Sequence, residues 1–409
     1  MLRLKLILLL MVSMFGMALP TFAQEMDGKV LAAVHDNNVW LYAPDADPQQ
    51  ITDGTANDYS NLVWSADGTA LAFIALDENF AATLWLYNRA DASLTEVGSD
   101  VPAGSPVSFT GDSSQLVFSQ DVTPPGSTDT NPIDIYTFDL ATNTAAQITT
   151  VDIGEGCGGG SSFPGDWRYW NETDGFGGFH SVLELTPFGL VYSKDCGYST
   201  ALLNVETGEE VSLGSISRVS VSPDGTQAAG ITYLSGDRTS EQLAVVDLAS
   251  GAVTTLETPA IPDQVTWGAN SNELLYSTRQ MTDQMIPTTD EAFERINTVL
   301  GTSGQVHVWA SSIHRFDLAS NTDTEVYLAD AYAIGWMSAA SDGTLNFSQI
   351  ANAEALLEAI GAGTLDQSDP AAFTASINLV PVELFTLPLD GSDAQLIGTD
   401  LTEGAVAAQ

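Results

Sequence analysis

One unit constrains this chain more than any other feature: a 14-residue strand–turn–strand pattern that recurs seven times. The copies read VWLYAPDADPQQI (39–51, one residue short), LWLYNRADASLTEV (84–97), IYTFDLATNTAAQI (135–148), TALLNVETGEEVSL (200–213), LAVVDLASGAVTTL (243–256), IHRFDLASNTDTEV (313–326) and LFTLPLDGSDAQLI (384–397). Each begins with alternating apolar residues, turns at a polar corner and closes on a second short apolar stretch. A period of two means β-strand. The corner residues, among them Asp139, Thr142 and Asn143, Asp247, Ser250 and Gly251, and Asp317, Ser320 and Asn321, are turn formers.

A second hairpin precedes most copies: LVWSADGTALAF (62–73), VSFTGDSSQLVF (107–118), VSVSPDGTQAAG (219–230), VTWGANSNELLY (265–276), IGWMSAASDGTLNF (334–347) and a shortened LELTPFGLVY (183–192). Two successive hairpins make a four-stranded antiparallel unit of roughly 40 residues, the size of one propeller blade. DGKVLAA (27–33) aligns with DGTALAF (67–73), so the chain enters at a blade's second strand, and GAVAAQ (404–409) falls where a first strand is due. The two termini are therefore expected to complete one blade and remove the free edges of an open sheet. The fold expected is all-β, a single propeller of seven four-stranded blades, with six the alternative count.

Residues 1–23 carry Arg3 and Lys5, an apolar run and then Thr21-Phe22-Ala23, the pattern of a secretory signal peptide cleaved after Ala23. That leaves 24–409 as the propeller. No later stretch is apolar for 18 residues, so no membrane span is expected in the mature chain, which reads as a soluble monomer exported to the periplasm or beyond the cell. The formal charge is −42, and loss of Arg3 and Lys5 makes it −44. Such acidity repels nucleic acid and anionic lipid and suits cations, basic partners or a salty habitat. Two cysteines, Cys157 and Cys196, remain, and export makes a disulfide between them the expected state, two free thiols being the alternative.

The meander fixes where loops go. Links between strands 1–2 and 3–4 share one face of the disc, where the repeated corners stay short. Links between strands 2–3 and between blades share the other, and every long insertion falls there. The first, about 150–182, holds Phe163, Asp166, Trp167, Arg168, Tyr169, Trp170, Phe176, Phe179 and His180. The second, 277–312, contains DEAFERINTVLG (290–301), with Asp290 as N-cap, Phe293, Ile296 and Leu300 on one side and Gly301 past the end, the pattern of a short helix. The third, 348–383, spaces Ala353, Leu356, Leu357 and Ile360 as a helix face. Cys196 lies in a strand 2–3 loop on this same face, beside the insertion that carries Cys157.

Long loops on a rigid scaffold are where binding resides. Asp166, Trp167, Arg168, Tyr169, Trp170 and His180 supply stacking faces, a carboxylate and a guanidinium fork, the means to hold a sugar ring or a peptide. The competing reading is that these aromatics and the insertion helices simply pack together and plug the channel. The corners SADGT (65–69) and SPDGT (222–226) lack the spacing of a sialidase Asp-box and read as turns. Four histidines, His35, His180, His307 and His314, form no HxH or HxxxH pair, so no zinc site is expected. Calcium among loop carboxylates such as Asp129, Asp134, Asp152 or Asp174 stays open, although no twelve-residue calcium loop is present. No GxSxG occurs, and carboxylate-only acid–base chemistry at the channel mouth remains the catalytic alternative.

The segments LVWSADGTALAF…LWLY, VSVSPDGTQAAG…LAVVDLASG and IYTFDLATNTAAQIT resemble the repeats of TolB-like β-propellers and of the propeller domain of prolyl-oligopeptidase-type peptidases. The resemblance covers roughly 27–409 outside the insertions and implies a propeller. For function it implies an exported platform for a partner, without the peptidase domain, without the small domain that precedes the TolB propeller, and with seven blades where TolB has six. The expected function is a binding scaffold recognising a protein, peptide or glycan at the insertion-bearing face. The alternative is an exported carbohydrate-active or other hydrolytic enzyme with its site at the channel mouth.

Overall fold

The computed structural model describes residues 30–35, 37–43, 46–56, 58–78, 81–101, 106–121, 133–149, 183–194, 199–233, 241–285, 294, 307–340, 343–351, 362, 382–399 and 404–407. Among the described residues the repeated hairpins form 28 strands, and middle strands such as Val30–His35 and Ala70–Leu76 are buried on both faces, between neighbouring blades. Blade 1 takes β1 (Val30–His35), β2 (Asn38–Tyr42) and β3 (Gln49–Gln50). Blade 2 is β4 (Asp58–Trp64), β5 (Ala70–Leu76), β6 (Ala82–Asn88) and β7 (Ser93–Val101). Blade 3 is β8 (Ser108–Phe109), β9 (Gln115–Asp121), β10 (Ile133–Asp139) and β11 (Thr144–Thr149). Blade 4 is β12 (Leu183–Thr186), β13 (Gly189–Lys194), β14 (Ser199–Leu203) and β15 (Glu210–Gly214). Blade 5 is β16 (Ile216–Val221), β17 (Gln227–Tyr233), β18 (Glu241–Asp247) and β19 (Val253–Leu256). Blade 6 is β20 (Pro262–Trp267), β21 (Glu273–Met285), β22 (His307–Asp317) and β23 (Thr322–Ala329). Blade 7 is β24 (Ala333–Ala339), β25 (Thr344–Ile350), β26 (Val382–Pro388) and β27 (Gln395–Thr399), and β28 (Gly404–Ala407) follows.

Seven four-stranded antiparallel sheets result, and the order β28-β1-β2-β3 closes the first blade with the last strand. The closing register runs Val30↔Ala407, Leu31↔Val406, Ala32↔Ala405 and Ala33↔Gly404. Seven blades, rather than six, and closure by both termini are thus the architecture.

The core is a set of seams, one between each pair of neighbouring blades. Leu31, Ala33 and Tyr42 of blade 1 pack on Leu384 and Ile397 of blade 7, and Val117 and Ile135 of blade 3 pack on Leu183 and Tyr192 of blade 4. The fourth residue of the second strand recurs as a fully buried aromatic: Phe73, Phe118, Tyr192, Tyr276 and Phe347. Blade 5 has Gly230 there, because the neighbouring strand comes too close for a side chain. A Cβ on Gly230 would meet Ile216 Cγ2 at 2.4 Å and the Ser217 carbonyl at 2.8 Å. Gly230→Ala is therefore expected to destabilise by about 1–3 kcal/mol despite the usual preference for Ala over Gly in a strand. Urea unfolding that leaves the midpoint unchanged would reject this packing.

Carboxylates organise the corner face. At the 1–2 corner of blade 2 the Ser65 hydroxyl donates to Asp67 Oδ1 (2.7 Å), and the Thr69 N–H and hydroxyl donate to the same oxygen (3.0 and 2.8 Å). Thr110, Asp112 and Ser114 repeat the arrangement in blade 3, as do Ser222, Asp224 and Thr226 in blade 5. Neighbouring corners are also stitched together, the Asp67 N–H to Ser113 Oγ (3.3 Å) and the Asp224 N–H to Ser271 Oγ (3.2 Å). At the 3–4 corners Asp139, Asp247 and Asp317 cap the turn by accepting from Thr142, Ser250 and Ser320. Asn143, Gly251 and Asn321 then take the left-handed conformation that closes it.

Burial opposes the charge on Asp224, but the Ser222 and Thr226 hydroxyls, the Thr226 N–H and Ser271 outweigh it and hold the carboxyl at about 2. The hydroxyls of Thr110 and Ser114 hold Asp112 at about 2 as well. A carboxylate depressed in the folded state contributes stability above its unfolded value near 3.8, and that contribution disappears as pH falls towards 2. Asp224→Ala should thus lower stability by about 1–2 kcal/mol at neutral pH. The gap between wild type and variant should narrow between pH 4 and pH 2, read by urea unfolding across that range; a gap constant with pH would remove the carboxylate's role.

The structure also redraws two boundaries. The insertions expected at 277–312 and 348–383 are shorter, since β21 runs on to Met285, β22 starts at His307, β25 reaches Ile350 and β26 starts at Val382. In blade 6 the two middle strands keep pairing beyond their neighbours, so residues assigned to a loop on repeat length are a two-stranded ribbon. The helix expected at 290–301 lies outside the described residues except for Glu294, which is helical and exposed. The helix face at Ala353–Ile360 lies outside them, as does the 1–23 segment.

Candidate functional site

The insertion-bearing face is reached from both ends of each interruption. The chain leaves blade 3 at Thr149 and enters blade 4 at Leu183, so the 150–182 insertion begins and ends on that face. Asp166, Trp167, Arg168, Tyr169, Trp170 and His180 all lie outside the described residues, as do Cys157 and Cys196. Cys196 falls between β13 and β14, the strand 2–3 link of blade 4 anticipated for it. Of the four calcium candidates only Asp134 is described; Gln147 Nε2 donates to its carboxylate (2.8 Å), and burial raises its pKa. Asp129, Asp152 and Asp174 lie outside the described residues.

The same face carries a second aromatic–guanidinium cluster, built from strand residues. Past Thr278, β21 outruns β20, and before Ser311, β22 outruns β23, so the two form a ribbon that projects from blade 6. At its root the Arg279 guanidinium lies 5.2 Å from the ring centroids of both Trp309 and Tyr332. Those rings meet edge to face at 5.7 Å. Further out the Thr282 hydroxyl donates to the Val308 carbonyl (2.7 Å), and His307 Nδ1 contacts the Thr282 carbonyl (3.0 Å). Trp, Tyr and Arg are the residue types that anchor interfaces. Little in the sequence marked it: STRQMTDQM is polar except at Met281 and Met285, four residues apart, and HVWASS runs three apolar residues together, so neither alternates as a strand does.

Towards the channel, bulged innermost strands turn side chains out of the ladder. Asn61 of β4 and Arg218 of β16 take positive φ (54° and 53°) at register shifts against their partner strands. Arg218 Nη1 donates to Asp263 Oδ1 (2.6 Å) and to the Asp263 carbonyl, tying the inner strands of blades 5 and 6 together. In blade 4 the innermost strand holds Glu184, whose carboxyl burial pushes up to about 7. A cleft of about 410 Å³ between blades 6 and 7 includes Arg315, Thr324 and Leu389 and opens on the corner face instead.

Beneath the ribbon lies a polar chain that no sequence spacing announced. Thr278 and Ser312 hydroxyls meet at 2.6 Å, Ser312 Oγ reaches His314 Nε2 at 3.0 Å, and His314 Nδ1 reaches Asp323 Oδ1 at 2.7 Å. Tyr276 donates its hydroxyl to the other Asp323 oxygen and stacks on the imidazole at 5.1 Å. The Ser–His–Asp distances match those of a hydrolytic triad. The surroundings do not: Ser312 is 7% exposed and its strand partners are Thr278 on one side and Leu328 on the other. A nucleophile needs an approach path and N–H donors for the oxyanion, and this ladder commits its N–H groups to pairing. The chain is a structural relay. With Nδ1–H donated to the carboxylate, Nε2 accepts from Ser312, and each buried hydroxyl finds a partner. Burial, then the bond to Asp323, raises the Tyr276 pKa, and Tyr192 repeats the strut to Glu210 in blade 4.

No protein-family model and no curated protein sequence matches the chain. Among solved structures it is similar to a prolyl endopeptidase, with a TM-score of 0.53 and 12% identity over 96% of this chain and 50% of that one. It is similar to the oligogalacturonate lyase from Vibrio parahaemolyticus, with a TM-score of 0.51 and 11% identity over 80% of this chain and 84% of that one. TolB from Acinetobacter baumannii aligns with a TM-score of 0.42 and 14% identity over 74% of this chain, which spans 64% of the TolB structure. A prolyl endopeptidase, one of the two resemblances carried by the repeats, is among these structures. At such identities the likeness is one of fold. The class that the fold defines is a seven-bladed β-propeller with its interruptions gathered on one face. Among the described residues no helix is long and apolar enough to cross a membrane, and no cluster of three or more metal-ligating side chains occurs.

Proposed function

We propose that this protein is an exported β-propeller platform that recognises a protein, peptide or glycan partner at its insertion-bearing face. The observation that carries the reading is asymmetry. The corner face is closed by short, carboxylate-capped turns bonded from blade to blade, as at Asp67 and Ser113. The opposite face receives the links at 150–182, 286–306 and 352–381 and the Arg279–Trp309–Tyr332 cluster. Within the first link, Asp166, Trp167, Arg168, Tyr169, Trp170 and His180 are the recognition residues, and a Cys157–Cys196 bridge holds that link to blade 4. Export follows from the 1–23 leader. A glycan and peptide array tests the platform: Trp167→Ala with Trp170→Ala is expected to abolish capture while the far-UV spectrum and Tm stay unchanged. Capture that survives both changes would remove this site.

A second reading is favoured by Glu184. A carboxyl held at about 7 in the innermost strand has the protonation state of a general acid or base at neutral pH. The oligogalacturonate lyase of similar fold gives a carbohydrate-active enzyme as its concrete form. Screening any captured glycan for turnover, with Glu184→Gln as the control, separates enzyme from binder.

A further inference from the structure

Blade 7 departs from the other six at one buried position. The third residue of the second strand is Ala32, Ala72, Val117, Val191, Ala229 and Leu275 in blades 1 to 6, each fully buried. Blade 7 has Asn346 there, and it is buried as deeply, at 1% exposure. The ladder sets Ser338 on one side of Asn346 and Thr386 on the other, and Gln395 lies beyond Thr386. Residues opposite each other in a sheet share a face, so this row is polar from the innermost strand to the outermost. Equivalent rows are interrupted, as in Val63–Ala72–Leu86–Thr95 of blade 2 and Ser220–Ala229–Val245–Thr254 of blade 5.

The polar row faces blade 1. Thr386 is two residues from Leu384 on β26, and Leu384 packs with Leu31, Ala33 and Tyr42 of blade 1. Within that seam Asn346 Oδ1 and Thr386 Oγ1 are both buried, and neither has a hydrogen-bond partner in the protein. A buried amide oxygen left so costs more than the apolar side chain that the other blades place there. Opposite residues in a ladder hold their Cβ atoms about 4.5–5.5 Å apart, a span that one water bridges between two polar tips. Buried waters take about two to four polar partners. Asn346, Thr386 and the Ser338 hydroxyl on adjoining strands offer that number.

We propose that the seam between blades 7 and 1 contains an internal water site, in which a water molecule donates to Asn346 Oδ1 and pairs with the Thr386 hydroxyl. Ser338 continues the site towards the innermost strand. The water satisfies both buried groups and explains an asparagine where six blades carry Ala, Val or Leu. The site is independent of the platform reading, because it lies in the framework and not on the insertion-bearing face.

A crystal structure that resolves ordered water tests the site on the intact protein. Density for a water is expected within hydrogen-bond distance of both Asn346 Oδ1 and Thr386 Oγ1. Asn346→Leu combined with Thr386→Val should remove that density and leave β25 and β26 in place. In solution, oxygen-17 relaxation dispersion of the double variant should lose the contribution of one long-lived water relative to wild type. Wild-type density with nothing between the two side chains overturns the proposal, and so does a direct Asn346–Thr386 hydrogen bond. A dispersion amplitude equal in the two proteins, or a water that survives both substitutions, overturns it as well. If the double variant does not fold, the wild-type density decides alone.

Discussion

His314→Ala is expected to be the most damaging single substitution among the described polar residues, lowering stability by about 2–3 kcal/mol. The reason is geometric rather than a matter of one lost contact. His314 is the middle of the Thr278–Ser312–His314–Asp323–Tyr276 chain and the only member that touches two others through ring nitrogens. Removing it leaves Asp323 with Tyr276 alone and Ser312 with Thr278 alone, and opens a void in a seam where Tyr276, Phe316 and Leu274 are buried. The lost ring adds a cavity cost to the two lost hydrogen bonds. Ser312→Ala should cost about 1–2 kcal/mol, because it removes two neutral links, to Thr278 and to His314, but leaves little void. That ordering separates a relay from a triad: a catalytic Ser312 would lose activity with little change in stability, and it would react with a fluorophosphonate. The expected outcome is no labelling of Ser312 in the native protein and a larger loss in urea midpoint for His314→Ala than for Ser312→Ala.

The second large effect concerns closure. A chain ending at residue 403 lacks β28, and with it the four ladder pairs from Val30↔Ala407 to Ala33↔Gly404. At about 1 kcal/mol for each lost bond the direct cost is about 4 kcal/mol. The indirect cost is larger in practice, because β1 becomes a free edge composed of fully buried residues such as Leu31, Ala32 and Ala33. Such an edge invites pairing between copies. The truncated protein is expected to melt several degrees lower and to appear as dimers and larger species by light scattering. A truncated chain that melts like the intact one and stays monodisperse would show that β28 does not close the ring.

What could be read from the sequence, and what could not, divides along chain distance. The corners were legible because their chemistry is local: Asp139 accepts from Thr142, and Asp224 from Thr226, within three residues. Closure was legible because DGKVLAA and GAVAAQ each complete a pattern already seen elsewhere. The histidine relay was not, since His314 and Asp323 are nine residues apart and Thr278 and Ser312 thirty-four, with no fixed spacing to mark them. His314 looked like a lone histidine, and only strand pairing gave it partners. The ribbon was missed for another reason. Repeat length set the end of the strand at residue 276, and STRQMTDQM, polar except at Met281 and Met285, has no alternation to extend it, yet the strand runs to Met285. The 166–170 and 180 cluster and the ribbon cluster were reached by separate routes, one from aromatic density and the other from geometry. Both fall on links of the same face, which is what a propeller with one bare face and one decorated face requires.

Hydrogen exchange on the protein with and without its captured partner tests that division most directly. The account predicts slowed exchange in peptides from 150–182 and from the 279–285 and 307–310 ribbon. The corner peptides at 65–69, 110–114 and 222–226 should exchange identically in both states. Protection confined to the corners, with the insertion face unchanged, would contradict the account.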